Sequence, residues 1–84
     1  MLKLIISGAN GHMGRAVARL AAENPDVEIA AGVDLCAERY GAFPVFIDPM
    51  EFYGKADALI DFSAPAALDM LLRYSAARKV PLVR

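Results

Sequence analysis

The stretch ISGANGHMGRAV, directly after MLKLI, constrains the fold more than any other part of the chain. Gly8, Gly11 and Gly14 recur at three-residue spacing between an apolar run and an amphipathic one. A strand-to-helix turn that holds a pyrophosphate needs each of them. Gly8 lets the chain turn sharply out of the strand. Gly11 lets the backbone approach the phosphates with no Cβ in the way, and Gly14 lets the new helix pack closely on the strand. The helix N-terminus adds unpaired N–H groups and a partial positive charge. The spacing is G-x-x-G-x-x-G rather than the commoner G-x-G-x-x-G, so the motif takes its weight from context. That context is a strand before, a helix after, and an acid about 20 residues on. Asp34 stands at that distance from Gly14, at the end of VEIAAGV. A carboxylate there can accept hydrogen bonds from the adenosine ribose. A purely structural glycine turn is the competing account.

The rest of the pattern alternates strands and helices. Leu2–Ser7 is an apolar run of strand length without polar alternation after Lys3, as expected when both faces are covered. His12–Glu23 follows as a helix, with Met13, Val17, Leu20 and Ala21 on one stripe and Arg15, Arg19 and Glu23 on the other. Asn24-Pro25-Asp26 stops it. Val27–Val33 is a second strand, and Leu35–Ala42 a polar, irregular connection. Phe43–Ile47 is a short strand with Pro44 hinting at a sheet edge. Asp48-Pro49 reads as an N-cap and first residue of a short helix to about Tyr53. Ala58–Phe62 is the third strong strand. Ser63 is expected to cap a helix with Pro65 in its first turn, running to about Arg78 with Leu68, Leu71, Leu72 and Ser75 on its apolar stripe. Val80–Val83 begins one more strand. The order β-α-β-β-α-β predicts an α/β fold: a Rossmann-type, doubly wound parallel sheet, here a single truncated nucleotide-binding domain spanning residues 1–84.

Composition narrows the function. A net charge of −1 supplies no basic excess for nucleic acid or an anionic membrane. No run approaches membrane-spanning length, and the apolar run in MLKLIISG is too short for a signal peptide. A single cysteine, Cys36, permits no intramolecular disulfide and suggests no metal site, which fits a reducing cytoplasm. The expected partner is a dinucleotide. Asp34 would repel a 2′-phosphate unless a cation compensated, and Arg39 is the nearest cation in the segment. The pattern therefore favours NADH over NADPH, with Arg39 as the residue that would admit both.

Three stretches resemble the N-terminal part of the 4-hydroxy-tetrahydrodipicolinate reductase (dihydrodipicolinate reductase) family. ISGANGHMGRAV is similar to its opening loop, of the form G-A-x-G-R-M-G-R. EIAAGVD is similar to its second strand and ribose-binding acid. ADALIDFSAPAAL is similar to its D-x-x-I-D-F-[ST]-x-P-E segment and discriminates best among Rossmann enzymes. The chain departs from the pattern at His12, where arginine is usual, and at Ala66, where glutamate is common. The resemblance covers nearly the whole chain. It implies NAD(P)H-dependent reduction of a cyclic pyridine precursor, with loss of water, on the route to diaminopimelate and lysine. It places Gly8, Ala9, Asn10, Gly11, His12 and Met13 along the pyrophosphate and adenosine side, Asp34 at the ribose, and Phe62 and Ser63 along the cofactor at the topological switch point. The family's catalytic segment, H-H-x-x-K-x-D-x-P-S-G-T, belongs to a second domain and nothing like it occurs here. The expectation is a chain with no catalytic residue of its own, inactive alone and prone to self-association along an unpaired last strand. The family is usually tetrameric. Another Rossmann enzyme, aspartate- or sugar-dehydrogenase-like, and a non-catalytic nucleotide-binding module are the alternatives.

The remaining candidates have structural readings. Asp57 is expected to be solvated ahead of its strand and Asp61 to form hydrogen bonds at the strand's end. Cys36 reads as an inert thiol, Phe43, Phe46, Phe52 and Tyr53 as small-core packing, and Arg73, Arg78 and Lys79 as cations suited to a helix C-terminus.

Overall fold

The computed structural model describes all residues, 1–84. Five strands form one parallel sheet in the order β3-β2-β1-β4-β5. They are β1 Leu2–Ser7, β2 Val27–Val33, β3 Val45–Phe46, β4 Ala58–Asp61 and β5 Leu82–Val83. Helix α1 (His12–Ala22) links β1 to β2, and α2 (Leu68–Arg78) links β4 to β5. From β1 the chain steps outward through β2 to β3; from β4 it steps the other way to β5. The reversal falls between β1 and β4, the two strands whose carboxyl ends carry Gly8 and Phe62. A ligand crevice opens at such a point in doubly wound sheets.

Period-two alternation in β1 explains the two layers. Ile5 and Ile6 are both fully buried, on opposite faces. Ile5 joins Ala31, Val33, Leu59, Leu71, Tyr74 and Val80 under α2. Ile6 joins Ala9, Ala18 and Phe43 under α1. The β1–β2 register slips between Leu4 and Ile5, where Leu4 pairs with Ile29 and Ile5 with Ala31.

Several expectations shift. In α1 the buried residues are Gly14, Ala18 and Ala21, while Met13 and Leu20 are exposed. The helix turns its small residues to the sheet because the glycine loop brings it too close for larger ones. In α2 the buried residues are Leu71 and Tyr74, and Leu72 is half exposed. Ser75 closes the helix end instead, its hydroxyl donating to the Val80 carbonyl at 2.6 Å. Lys79 follows in the left-handed conformation (φ 56°) that usually favours glycine. Asp48 caps as expected, accepting from the Met50 amide at 2.9 Å, but the element it starts is a single 3-10 turn, Pro49–Glu51. Residues Pro65–Ala67 form another 3-10 turn, with Ala64 rather than Ser63 at its cap. The strands expected over residues 43–47 and 80–83 shrink to two residues each. Asp57 remains exposed but is not merely solvated, because its Oδ2 accepts the Lys3 amide at 2.7 Å.

Candidate functional site

The glycine loop is fixed by backbone contacts. Gly8 has φ +78°, and a Cβ on it would lie 2.9 Å from the Phe62 carbonyl carbon and 3.0 Å from the Ser63 nitrogen. A Cβ on Gly14 would lie 2.2 Å from the Gly8 carbonyl oxygen and 2.8 Å from the Ala9 Cα. Neither position accepts a side chain unless the loop moves. Gly11 differs. It has ordinary extended backbone, and its Cβ would meet only the Gly8 carbonyl oxygen, at 3.3 Å. Gly11 caps α1 without any side-chain hydrogen bond, so the first-turn N–H groups of the helix keep their outward bonding capacity.

Asp34, just past β2, pins two loops. Its Oδ2 accepts the Asn10 amide at 2.9 Å and its Oδ1 accepts the Cys36 amide at 3.0 Å. The Asn10 side chain extends the tie. Its Nδ2 donates to the Cys36 and Glu38 carbonyls, and its Oδ1 accepts from Arg15 at 2.8 Å. The Arg15 guanidinium lies 4.2 Å from the centre of the Tyr40 ring, and the Tyr40 hydroxyl donates to the Ala9 carbonyl at 2.6 Å. Burial raises the Tyr40 phenol above its usual pKa; Arg15 pulls it down and Asp34 pushes it up. Helical spacing puts Arg15 on the outer face of α1, and Tyr40 falls in the polar, irregular connection Leu35–Ala42. The local sequence carries no signal for this contact, which depends on a turn-back of residues 34–40.

A cleft of about 480 Å³ opens at the carboxyl ends of β1, β2 and β4. Of the residues singled out from sequence, Gly8, Gly11, Asp34, Phe62 and Ser63 line it. Leu35, Ile47 and Met70, which sequence reasoning did not select, add apolar wall. Leu35 is 85% exposed, a large apolar side chain beside the acid and available to a flat apolar group. Ala9 is fully buried, and His12 and Met13 stand exposed on the first turn of α1 away from the cleft lining. Asn10 acts through Asp34, and Gly14 through packing. Arg39 is turned to its own loop, donating to the Gly41 and Ala42 carbonyls at 3.2 and 3.3 Å. A larger groove, about 620 Å³, lies between α1 and the outer part of β2, where the irregular Leu35–Ala42 connection brings no helix. It reaches Met1 at the amino ends of the strands and takes in Arg15 of the first turn of α1, but the glycine loop does not open on it.

At the carboxyl end of β4, Asp61 has a fully buried side chain. Its Oδ1 accepts both the Ser63 amide, at 2.7 Å, and the Ser63 hydroxyl. Its Oδ2 faces Arg84 Nε at 3.1 Å, an ion pair whose N–H is not aligned as a hydrogen bond. Cys36 is exposed. No helix is long and apolar enough to cross a membrane.

A parallel doubly wound sheet, a glycine turn at its switch point and an acid at the end of the second strand define a Rossmann-type nucleotide-binding domain. The chain belongs to the family described as "Dihydrodipicolinate reductase, N-terminus", which matches residues 2–84. It is 47% identical over 83 residues to the 4-hydroxy-tetrahydrodipicolinate reductase of Caldanaerobacter subterraneus, covering 99% of this chain and 33% of that protein. It is 37% identical over 84 residues to the enzyme of the same name from Clostridium perfringens, again covering 99% and 33%. The chain thus spans about a third of the length of these relatives. In fold it resembles a dipicolinate-bound dihydrodipicolinate reductase from Paenisporosarcina (TM-score 0.80, 20% identity, 98% of this chain and 36% of that one). It also resembles a myo-inositol dehydrogenase from Corynebacterium glutamicum (TM-score 0.78, 22% identity, 98% and 27%).

Proposed function

We propose that this chain is the NAD(P)H-binding portion of a 4-hydroxy-tetrahydrodipicolinate reductase. In the whole protein, hydride passes from the nicotinamide to the cyclic dipicolinate precursor in diaminopimelate and lysine biosynthesis. The bound dinucleotide supplies that hydride. The residues of this chain bind and orient it. The observation that carries the reading is Gly11. Its missing side chain relieves only one tight contact in the protein, and the space it leaves is the cleft, between the uncapped start of α1 and Asp34. A pyrophosphate fits that position, held by the backbone N–H groups of His12 and Met13, while the Gly11 N–H donates to the Gly8 carbonyl at 3.0 Å. Asp34 keeps lone pairs on both oxygens for a ribose, and Leu35 and Ile47 offer an apolar surface for the base. Met13 and His12 take part through their backbone, since neither residue's side chain lines the cleft.

Asp34 is held at the end of β2 by two amides, and Arg39 is occupied by its own loop. Both support NADH over NADPH, because a 2′-phosphate would meet the carboxylate without a counter-charge. The active site for the chemical step belongs to the rest of the reductase, so the 84-residue chain is expected to bind without turnover. Calorimetric titration with NADH and NADPH tests this. NADH should bind saturably, NADPH about tenfold more weakly, and Asp34→Ala should weaken NADH by roughly tenfold or more, the scale of a charge-assisted hydrogen bond. A folded chain that binds neither nucleotide would sink the proposal.

A further inference from the structure

Parallel strands are ordinarily joined through a helix packed on the sheet, but the connection from β2 to β3 has none. The space such a helix would fill remains as the groove of about 620 Å³ between α1 and the outer part of β2. The connection does not collapse into it, because its residues are bonded elsewhere. The Tyr40 hydroxyl donates to the Ala9 carbonyl at 2.6 Å, and the Phe43 ring meets the Tyr40 ring edge-on with centroids 5.4 Å apart. Arg39 holds the Gly41 and Ala42 carbonyls. The groove is therefore preformed, and its volume falls in the range of about 300–1,000 Å³ typical of small-molecule sites.

Charge is ordered along it. Helix α1 runs back from the carboxyl ends of the strands to their amino ends, so Arg15 stands at one end of the groove and Ala22 toward the other. Arg15 and Arg19, one turn apart on the same flank of α1, both line it. Arg15 is spent on Asn10 and on the Tyr40 ring. Arg19 is exposed and unpaired: the one ion pair in the chain joins Arg84 to Asp61, and Glu23, a turn further on, does not reach Arg19. Beyond Arg19 the wall is apolar, with Ala22, Ile29, Val27 and Pro25. Glu28, near the start of β2, is the only carboxylate on the groove. Two guanidinium groups against one carboxylate make the groove locally positive on a chain of net charge −1.

We propose that this groove is a second binding site, for an acyl carboxylate of medium chain length. The carboxylate pairs with Arg19, and the hydrocarbon lies along Ala22, Ile29 and Val27 toward the amino ends of the strands. The wall from Arg15 to Ala22 is two helical turns, about 10 Å long, which an octanoyl chain spans. The order of charges sets the orientation. A carboxylate is drawn to Arg19 beside Arg15 and repelled by Glu28, which leaves the far end to the hydrocarbon. Covering that apolar wall drives the association. No residue lines both this groove and the nucleotide cleft, so the proposal stands or falls apart from the dinucleotide reading.

Titration of the isotope-labelled chain with octanoate, followed by amide NMR, tests it. Saturable shifts are expected at Ala22, Ile29, Ala42 and Phe43, with Gly8, Gly11 and Phe62 unmoved. Arg19→Glu should weaken octanoate by about fivefold. It should leave 1-octanol, which keeps the chain and lacks the charge, within about twofold of the parent. Ala22→Phe, which sets a ring into the groove from an exposed position, should remove the binding of both. Should Ala22→Phe fail to fold, Arg19→Glu decides alone. Shifts confined to the cleft residues, shifts that never saturate, or an unchanged octanoate affinity in Arg19→Glu overturn the proposal. Groove shifts that appear on concentrating the chain alone, and that octanoate does not reverse, assign the groove to a second copy of the chain and overturn it as well.

Discussion

The two faces of the sheet are built by opposite means. Under α1 the contacts are small: Gly14, Ala18 and Ala21 let the helix backbone settle almost onto the strand, and the loop before it is pressed against Phe62. Under α2 the contacts are large: Leu71 and Tyr74 fill the layer over Ile5, Leu59 and Val33. The first face has its geometry set by backbone against backbone, and its tolerance is a fraction of an ångström. The second is set by side-chain volume, which can relax after a change. The face that positions the candidate anion site is the rigid one, and the face that carries most of the buried apolar volume is the adaptable one.

Substitutions on each side should expose this difference. The largest effect is expected from Gly14→Ala. The added methyl meets the Gly8 carbonyl oxygen at 2.2 Å, with backbone on both sides and no rotamer to escape into. Stability for a chain of this size is only several kcal/mol, and the overlap should remove most of it, seen as loss of the cooperative thermal transition by circular dichroism. A folded Gly14→Ala chain with unchanged nucleotide affinity would refute the rigid-face account. Leu71→Ala comes next, with a loss of about 2–5 kcal/mol in denaturant titration. Its remaining folded fraction should still bind NADH, with a modest loss: Leu71 itself does not line the cleft, but its neighbours Met70 and Val33 do.

Tyr74→Phe should act in the other direction. The Tyr74 hydroxyl is buried and has no hydrogen-bond partner. Removing it should leave stability at neutral pH unchanged or raise it by about 1 kcal/mol. Burial raises the Tyr74 phenol above its ordinary pKa of 10.0, with Arg78 partly opposing. The unfolded chain therefore loses this proton first as pH rises, and stability falls from about pH 10 upward. Tyr40 titrates in the same sense, again mainly through burial. Melting curves between pH 8 and 11 should show a shallower alkaline decline in Tyr74→Phe than in the parent; an identical slope would contradict it. The smallest effect is expected at Leu20, 66% exposed on α1, where Leu20→Ala should change stability by less than about 0.5 kcal/mol.

Leu20 also marks where sequence reasoning stopped short. The order of strands and helices, the parallel sheet, the glycine turn and the position of Asp34 were all legible, because each leaves a local trace: a short apolar run, a proline after a cap, an acid at a set distance from a glycine. Helix rotation was not. Hydropathy put Met13 and Leu20 inward, but the closeness demanded by Gly14 selects small residues for the interior. The Asn10–Arg15–Tyr40 tie was also hidden, since it joins residues through a loop with no periodicity. Ser63 looked like a helix cap by composition. The carboxylate two residues before it offered a better acceptor for its proton, and Pro65 began a 3-10 turn in place of an α-helix.

Asp34 fastens two loops and is the proposed ribose acceptor. A residue with both duties is hard to replace in evolution or in the laboratory. Exchanging it for a small neutral side chain to admit a phosphorylated ribose would also release the Asn10 and Cys36 amides it holds. A new cofactor preference would then begin with a frayed loop. The route open to such a change runs through a second substitution first, one that secures the Asn10 amide by other means. Selection for a new nucleotide would have to cross that ordering of steps, which makes Asp34 a historical constraint as much as a chemical one.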